Sequence, residues 1–361
     1  MRLKWQYATM LCLAALVFMS QSDWPTDATG AEATEPAASD DRPADAALAT
    51  YLGMTIDEFQ SLSVQDQGIY AECEPMIASN PSGPLRLLML PQFTALNDVD
   101  IERIFALPRI RAFYLTGVTD RSLSALKSVQ GIRELSLNGM FSDGVVRELI
   151  DVQPDLEYLD VFNPSEETMK VIGRRRHLES LSAVGVRCRH GGLHHLSDLP
   201  HLRSLAVTSN DIDERGIGSL ALLPRLERLS LNGGDHLSND AISQLAHLQG
   251  LVELQMDTRA RTTPEAYKDF HRLSRLTRLQ PPRSMPDDAL PHITKLPSLE
   301  YLDLLNSENV TDRWIPDLLD IRSLKWLNVG GGKVSSRMQA RVNSWLKVQH
   351  ESGGIARPSV D

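Results

Sequence analysis

Cysteine, aromatic side chains and positive charge are all scarce in this sequence. The 361 residues include 3 cysteines, 6% aromatic residues, and 37 Lys and Arg against 47 Asp and Glu, so the formal net charge is −10. Nucleic acids are bound largely through Lys and Arg contacts to phosphates, and an acidic chain is poorly suited to that task. We therefore expect no nucleic-acid partner.

The common catalytic motifs are absent from the sequence as well. It contains no phosphate-binding glycine loop, no HExxH and no GxSxG, and the SxxK match that begins at Ser124 has no companion motifs. Cys188 fits a small buried residue better than a nucleophile. We predict a protein that is not an enzyme and has no cofactor.

The N-terminal residues 1–22 are typical of an export signal. Arg2 and Lys4 precede an apolar run at residues 10–19, and Ser20 and Ser22 are small residues at the positions that determine cleavage. The run is shorter than the about 20 residues that a membrane-spanning helix needs. We predict a periplasmic or secreted protein with no transmembrane span after cleavage, tethered to the membrane if the signal is retained. An uncleaved anchor and a buried N-terminal helix are the alternatives.

Two further segments precede the central part of the chain. Residues 23–46 are rich in Ala, Asp, Pro and Thr, and they have too few large apolar side chains to offset the entropy of ordering. We expect this segment to be a disordered acidic linker. Residues 47–83 contain a capping-box sequence from Thr55 to Glu58 and are predicted to form a helical N-terminal cap.

One apolar pattern recurs throughout residues 84–333. An apolar residue is followed three and five positions later by two more, and the pattern returns about every 24 residues. Such alternation is typical of a short strand with one buried face, while the apolar spacing between strands indicates short helices or 3-10 turns. The central residues of the eleven predicted strands are Leu88, Phe113, Leu135, Leu159, Leu181, Leu205, Leu229, Leu254, Leu279, Leu302 and Leu327.

This pattern predicts an α/β repeat solenoid with a parallel sheet on the concave side and short helices on the convex side. One unit cannot bury its own apolar face, so stacked units share a continuous core. Residues 334–350 are predicted to form a C-terminal capping helix, and residues 351–361 a flexible tail. Stacking also separates Cys73 from Cys188 by roughly 19 Å, beyond the about 7 Å that a disulfide allows, so both thiols should be free.

The turn after several strands is more specific than the strand itself. Thr119-Asp120 and Thr311-Asp312 can each cap the convex helix that follows. In this feature the sequence resembles the cysteine-containing type of leucine-rich repeat, which occurs in F-box substrate receptors and in exported bacterial repeat proteins. The resemblance implies a leucine-rich-repeat horseshoe, although no F-box pattern precedes the repeats. The usual cysteine after the strand is replaced by Phe93, Met140, Asn210, Gly234 and Ser307.

Two units depart from the repeating pattern. Pro281 and Pro282 replace the end of the ninth strand, and since proline cannot donate to an interior ladder, we expect the sheet to break or bend there. Asn163 and Pro164 follow the fourth strand and begin a short, charged connection. Drift in a tolerant repeat and a functional role are both open interpretations of these departures.

The histidines of the fifth unit form the sharpest polar cluster in the sequence. Histidines at such spacing could hold a metal ion such as zinc. They lie in a turn with Arg187 and Arg189, and no carboxylate joins them at the spacing of a regular metal site, so a solvated basic turn is favoured and no metal is predicted. The four histidines are His190, His194, His195 and His201.

The candidate ligand-binding residues lie between the core positions of the strands, where side chains point to the concave face. Tyr, Trp and Arg dominate binding hot spots, and here they concentrate on both sides of a patch of small residues. The charged candidates could instead pair with one another, and the aromatic ones could pack against the caps. The candidates are Tyr114, Tyr158, Asp160 and Phe162 in the N-terminal third, and Arg228, Glu253, Arg278, Tyr301 and Trp326 in the C-terminal half.

These features favour a non-catalytic recognition or scaffold module that holds a protein partner on its concave face. A binder of carbohydrate or envelope polymer is the second interpretation, since aromatic and acidic side chains also suit a polysaccharide. An intracellular adaptor like the F-box substrate receptors is the third, and it requires the N-terminal apolar run to be retained in a cytosolic protein. Only the histidines support an enzyme with an unrecognised site.

Overall fold

The computed structural model describes residues 57, 60, 61, 85–88, 110–116, 118–305 and 307–351. The predicted signal peptide, the acidic linker, the tail beyond residue 351, Cys73 and most of the predicted N-terminal cap lie outside these residues. Within that cap, the backbone N–H of Ser61 donates to the carbonyl of Asp57 at 3.0 Å, as in one turn of a helix. In the described part of the chain, no helix is both long and apolar enough to cross a membrane.

Eleven parallel strands form one sheet, and strands that follow one another in sequence are neighbours in space. The sheet is open, because its first and last strands do not pair. This is the predicted leucine-rich-repeat architecture, in which each unit contacts the units before and after it. The strands are β1 (Leu85–Leu88), β2 (Ile110–Thr116), β3 (Glu134–Asn138), β4 (Tyr158–Phe162), β5 (Ser180–Val184), β6 (Ser204–Thr208), β7 (Arg228–Asn232), β8 (Glu253–Asp257), β9 (Arg278–Gln280), β10 (Tyr301–Asp303) and β11 (Trp326–Asn328).

Short helical segments connect the strands, as the apolar spacing predicts. The α-helices are α1 (Asp120–Ala125), α2 (Asp143–Asp151), α3 (Glu166–Ile172), α4 (Glu214–Leu220), α5 (Asn239–Gln244), α6 (Leu290–Ile293), α7 (Ile315–Leu319) and α8 (Ser336–Glu351). The 3-10 segments are Leu126–Ser128, Arg189–Leu196, Leu245–His247, Pro264–Tyr267, Phe270–Arg272, Asp287–Ala289 and Asp312–Trp314. Helix α8 lies where the sequence predicts a capping helix, and it buries Val342 in the core.

The predicted core positions are buried. From β2 to β11, the central residue of every strand is at most 2% exposed, and Leu126, within the SxxK match, is completely buried. Cys188 is a free, buried thiol, as predicted. Because each central leucine packs beside its counterparts in the adjoining units, the apolar core continues along the whole described array.

Strand β1 joins the sheet in a register that differs from the predicted one. Leu87, not Leu88, lies opposite Phe113. The register shifts because Arg111 is an extra residue on β2, as in a β-bulge. A bulge leaves no trace in the spacing of apolar residues, so the predicted central position of Leu88 is wrong.

The two consecutive prolines of the ninth unit do not break the sheet. Strand β9 ends at Gln280, directly before Pro281, and both Pro281 and Pro282 are buried. Pairing between the units resumes at once, because the backbone N–H of Arg283 donates to the carbonyl of Thr258 at 2.9 Å. The predicted break is therefore wrong: the prolines remove two donors, and β9 ends before them with three residues, the same length as β10 and β11.

A hydrogen-bonded ladder runs along the turns that begin the convex helices. Thr119 caps α1 as predicted, because its side-chain oxygen accepts from the backbone N–H of Ser122 at 3.2 Å. The acid after such a cap has a different partner, since Asp143 accepts from the backbone N–H of Ser165 in the next unit at 3.0 Å. The same contact joins Asp120 to Ser142, Asn239 to Thr263, Asp287 to Thr311 and Asp312 to Ser335.

Candidate functional site

The strand register arranges most of the candidate residues in two neighbouring columns on the concave, strand-lined face. Phe162 belongs to neither column, since it lies at the end of β4 beside Val184. Tyr114 and Asp160 belong to the shorter column, on either side of Ser136. The longer column consists of Ala112, Glu134, Tyr158, Ser180, Ser204, Arg228, Glu253, Arg278, Tyr301 and Trp326.

Two tyrosines and a glutamate meet at the N-terminal end of these columns. The rings of Tyr114 and Tyr158 are 6.2 Å apart between centroids, and the hydroxyl of Tyr114 donates to Oε2 of Glu134 at 2.6 Å. Among the described residues, Phe162 makes no ring contact with either tyrosine. Glu134 was missed as a site residue, although its position between the two tyrosine-bearing strands could have indicated it. We call Tyr114, Glu134, Tyr158 and Asp160 the tyrosine–acid cluster.

Asp160 occupies a polar but mostly enclosed place in this cluster. The hydroxyl of Ser136 donates to its Oδ2 at 2.9 Å, and Ser182 hydrogen-bonds it from the other side. Burial raises the pKa of Asp160 above its ordinary value, and the bonds from Ser182 and Ser136 offset only part of that rise. Keeping this carboxylate charged is therefore costly, and a ligand that donates a hydrogen bond to it would reduce that cost.

A second group of candidates meets at the C-terminal end of the face. The guanidinium carbon of Arg278 lies 4.4 Å from the centroid of the Tyr301 ring, which is the geometry of a cation–π contact. Trp326 lies opposite Tyr301 on the next strand. Arg278 is exposed and both rings are half-buried, so these side chains offer a broad surface to a ligand. We call them the Arg–Tyr–Trp patch.

Glu253 lies between two arginines in the longer column and is 7% exposed. Burial raises its pKa, and the charges of Arg278 and Arg228 offset only part of the rise. Its Oε1 accepts a hydrogen bond from Gln255 at 2.8 Å, while Arg278 stacks on Tyr301. Since Glu253 and Arg278 have these other contacts, a simple ladder of mutual ion pairs does not account for the charged candidates.

Two histidines of the fifth unit lie beside carboxylates of neighbouring units. Nε2 of His195 is 2.5 Å from Oε1 of Glu166, and Nδ1 of His190 is 2.6 Å from Oδ2 of Asp213. These acids come from the preceding and following units of the stack, so they do not stand at the sequence spacing of a regular metal site. Spacing within one turn could not reveal them. His201 lies apart and contacts an arginine.

No protein-family model matches the chain, and no curated protein matches its sequence. Similar solved structures include an internalin from Listeria monocytogenes, 18% identical with a TM-score of 0.45, covering 68% of this chain and 87% of that one. The Rad7 and Elc1 complex in yeast is 14% identical with a TM-score of 0.42, covering 78% and 84%. A TDR receptor is 16% identical with a TM-score of 0.41, covering 67% and 43%. Likenesses of this size say nothing about function, and the fold assignment rests on the strand order and register of this chain.

Proposed function

We propose that this protein is a non-catalytic recognition module of an exported protein, and that it holds a protein partner on its concave face. The observation that carries the proposal is the alignment of half-exposed aromatic and charged side chains along that face. Tyr158, Tyr301 and Trp326 lie in one column, whereas the leucines beside them in the same strands are buried. Rigid aromatic side chains on a preformed surface contribute large contact area at little entropic cost.

The distribution of charge along the face supports a partner with a matching pattern. The tyrosine–acid cluster contributes Glu134 and Asp160, while the other end carries Arg228 and Arg278 with the mostly buried Glu253 between them. Small residues separate the two ends. Ser182 and Ser204 are mostly buried there, so the middle of the face is flat. An elongated protein surface with basic groups at one end and acidic groups at the other would complement this arrangement.

Site-specific photo-crosslinking in cells of the source organism tests this proposal. A photoreactive residue would replace Tyr158, Trp326 or, as a convex control, Leu222, which is 66% exposed. We expect Tyr158 and Trp326 to capture one protein that Leu222 does not. Capture from Leu222 alone would overturn the concave site, and capture of protease-resistant, periodate-sensitive material would favour the polysaccharide interpretation.

The affinity of the captured partner then tests the individual side chains. Tyr158→Ala and Trp326→Ala should each weaken binding at least tenfold, about 1.4 kcal/mol, as expected for aromatic hot spots. Leu222→Ala should leave binding unchanged. Unaltered affinity in both concave variants would remove these residues from the site.

Export and the subtype of the repeat are part of the same proposal. The signal-like residues 1–22 and the lack of an F-box pattern favour the exported bacterial proteins of the cysteine-containing type over the intracellular adaptors. Mass spectrometry of the mature N-terminus tests this. A chain that begins near Asp23 or Ala31 would support export, whereas a soluble cytosolic chain that retains Met1 would refute it.

A further inference from the structure

The fifth unit has a connection unlike those of its neighbours. The segment Arg189–Leu196 contains three consecutive residues in the left-handed region, with φ values of 57° at His190, 62° at Gly191 and 69° at Gly192. Left-handed backbone is uncommon for a residue with a side chain, and such strain is concentrated at functional sites. The kink replaces the regular convex helix and directs the end of the segment toward the preceding unit.

Glycines on both sides hold this segment closely. A Cβ atom on Gly173 would lie 2.0 Å from the backbone oxygen of His195, and one on Gly216 would lie 2.3 Å from that of His190. Neither contact is sterically possible, so only glycine allows the segment to pack between α3 and α4. The histidine backbone is therefore positioned by the fold rather than by a free surface loop.

Three metal-ligating side chains converge at the start of α3. Nε2 of His195 lies 2.5 Å from Oε1 of Glu166, and Nε2 of His194 lies 3.5 Å from the same oxygen. One donor atom from each residue lies within 4.8 Å of the other two. Ligands about 2.0–2.2 Å from a tetrahedral ion are roughly 3.4 Å apart, so the separation of His194 from Glu166 already suits one ion, and small rotamer adjustments would be needed to bring all three residues onto it.

The hydrogen bonds among these residues do not account for the position of the His194 ring. Its Nε2 lies 3.5 Å from Oε1 of Glu166, and its ring centroid lies 3.8 Å from that of His195. One carboxylate oxygen serves His195 well but is too distant from His194 for a good bond. An ion shared by both imidazoles and the carboxylate would account for the approach of the two rings.

The glutamate itself departs from the ladder along the turns. At this position in three other units, Asp120, Asn239 and Asp287 accept from the backbone N–H of the cap of the next unit. Glu214 also follows a cap, and it accepts from the side chain of Gln244. Glu166 follows Ser165, which caps α3, and Cys188 is the cap of the next unit. Cys188 comes 22 positions after Glu166, the same separation as that between Asp143 and Ser165. The thiol of Cys188 hydrogen-bonds Glu166. The extra methylene allows Glu166 to reach past that cap to the histidines.

We propose that Glu166, His194 and His195 form a binding site for one divalent transition-metal ion of the zinc class. Two imidazoles and one carboxylate are a donor set that such ions favour. Glu166 and His194 are each about one-third exposed, so an ion could enter from solvent and keep a water or an exogenous ligand in its fourth position. The site lies on the convex side, away from the concave candidates, and would tie two units together.

The test uses the full chain without a histidine tag, stripped with a chelator and titrated with Zn²⁺ by calorimetry and with Co²⁺ by visible absorption. We expect one ion per chain, tetrahedral Co²⁺ bands, and a melting temperature that rises with Zn²⁺ because binding stabilises the folded state. Glu166→Gln, His194→Ala and His195→Ala should weaken binding by more than the roughly 10–100-fold that loss of an outer-shell partner costs. His201→Ala, a nearby histidine outside the cluster, should bind like the wild type.

Two results would overturn the metal site. One is the absence of saturable Zn²⁺ and Co²⁺ binding by wild-type protein that circular dichroism shows to be folded. The other is binding that survives in both His194→Ala and the isosteric Glu166→Gln, which would place the ion elsewhere. Neither result depends on the identity of the concave partner, so the recognition proposal stands or falls separately.

Discussion

The carboxylate of Asp143 accepts hydrogen bonds from both the backbone N–H and the hydroxyl of Ser165 in the next repeat, at 3.0 and 2.7 Å. Ser165 in turn caps α3 by accepting from the N–H of Thr168 at 3.2 Å. One side chain therefore fixes the start of the following helix from outside its own unit. This contact couples neighbouring units at their convex edge.

Replacing Asp143 should lower stability in a way that depends on pH. Burial alone would raise the pKa of Asp143, but hydrogen bonds from Thr168 and Ser165 outweigh it and hold the pKa below its ordinary value. This stabilisation is present above the unfolded pKa of about 3.9 and is lost as pH falls through the folded-state value. Asp143→Ala should lower the free energy of unfolding at pH 7 by about 1–2 kcal/mol.

Urea unfolding of Asp143→Ala across the acid range provides the measurement. The difference from wild type should shrink toward the lowest pH, where the carboxyl is protonated in both states and only its neutral hydrogen bonds remain. Asp155→Ala, a change at an exposed acid, serves as the control and should cost almost nothing. A difference that is constant with pH would show that the charge of Asp143 has no part in the contact.

Asp160 should have the opposite pH dependence. Because burial raises its folded-state pKa, its contribution to stability is greatest below the unfolded pKa and is lost as pH rises through the folded-state value. Asp160→Asn keeps the shape and hydrogen bonds with the neighbouring serines, so it should be more stable than wild type at pH 7. The gain should shrink in thermal melts toward pH 4, and a variant less stable at neutral pH would contradict this account.

Two leucines distinguish the core from the surface of the repeats. Leu205 is 1% exposed in the central strand β6, and Leu205→Ala should lower the free energy of unfolding by about 2–5 kcal/mol through the cavity it leaves. Leu222→Ala, the same chemical change at a side chain that is 66% exposed, should alter it by less than about 0.5 kcal/mol. Chemical denaturation of both variants gives the comparison, and equal losses would refute the assigned core.

Two glycines provide a matched test of the packing around the histidine segment. Gly173→Ala should destabilise the protein and weaken Zn²⁺ binding, because its Cβ would lie 2.0 Å from the backbone oxygen of His195. Gly144→Ala, in helix α2, meets nothing within 4 Å and should stabilise the protein by about 0.5–1 kcal/mol. Melting temperatures with and without Zn²⁺ separate the two effects. If Gly173→Ala were as benign as Gly144→Ala, the close packing would be disproved.

The concave candidates show where residue spacing suffices and where it does not. Alternation within a strand placed Tyr158, Arg278 and Trp326 in one column, and the register has them there. It could not show that Arg278 stacks on Tyr301 or that Glu253 bonds Gln255, because these contacts depend on rotamers and on burial. The binding role of these residues stays a prediction.

The sequence by itself determined the period, the strand order and the buried positions, because a stacked array repeats one local pattern and each unit needs its neighbours to bury the same apolar face. Only the tertiary structure decided the Asp143–Ser165 ladder, the bulge at Arg111 and the meeting of Glu166 with His194 and His195. Those contacts join residues more than 20 positions apart. Whether such residues meet depends on backbone geometry, here a left-handed kink and close-packed glycines, which the apolar pattern does not encode.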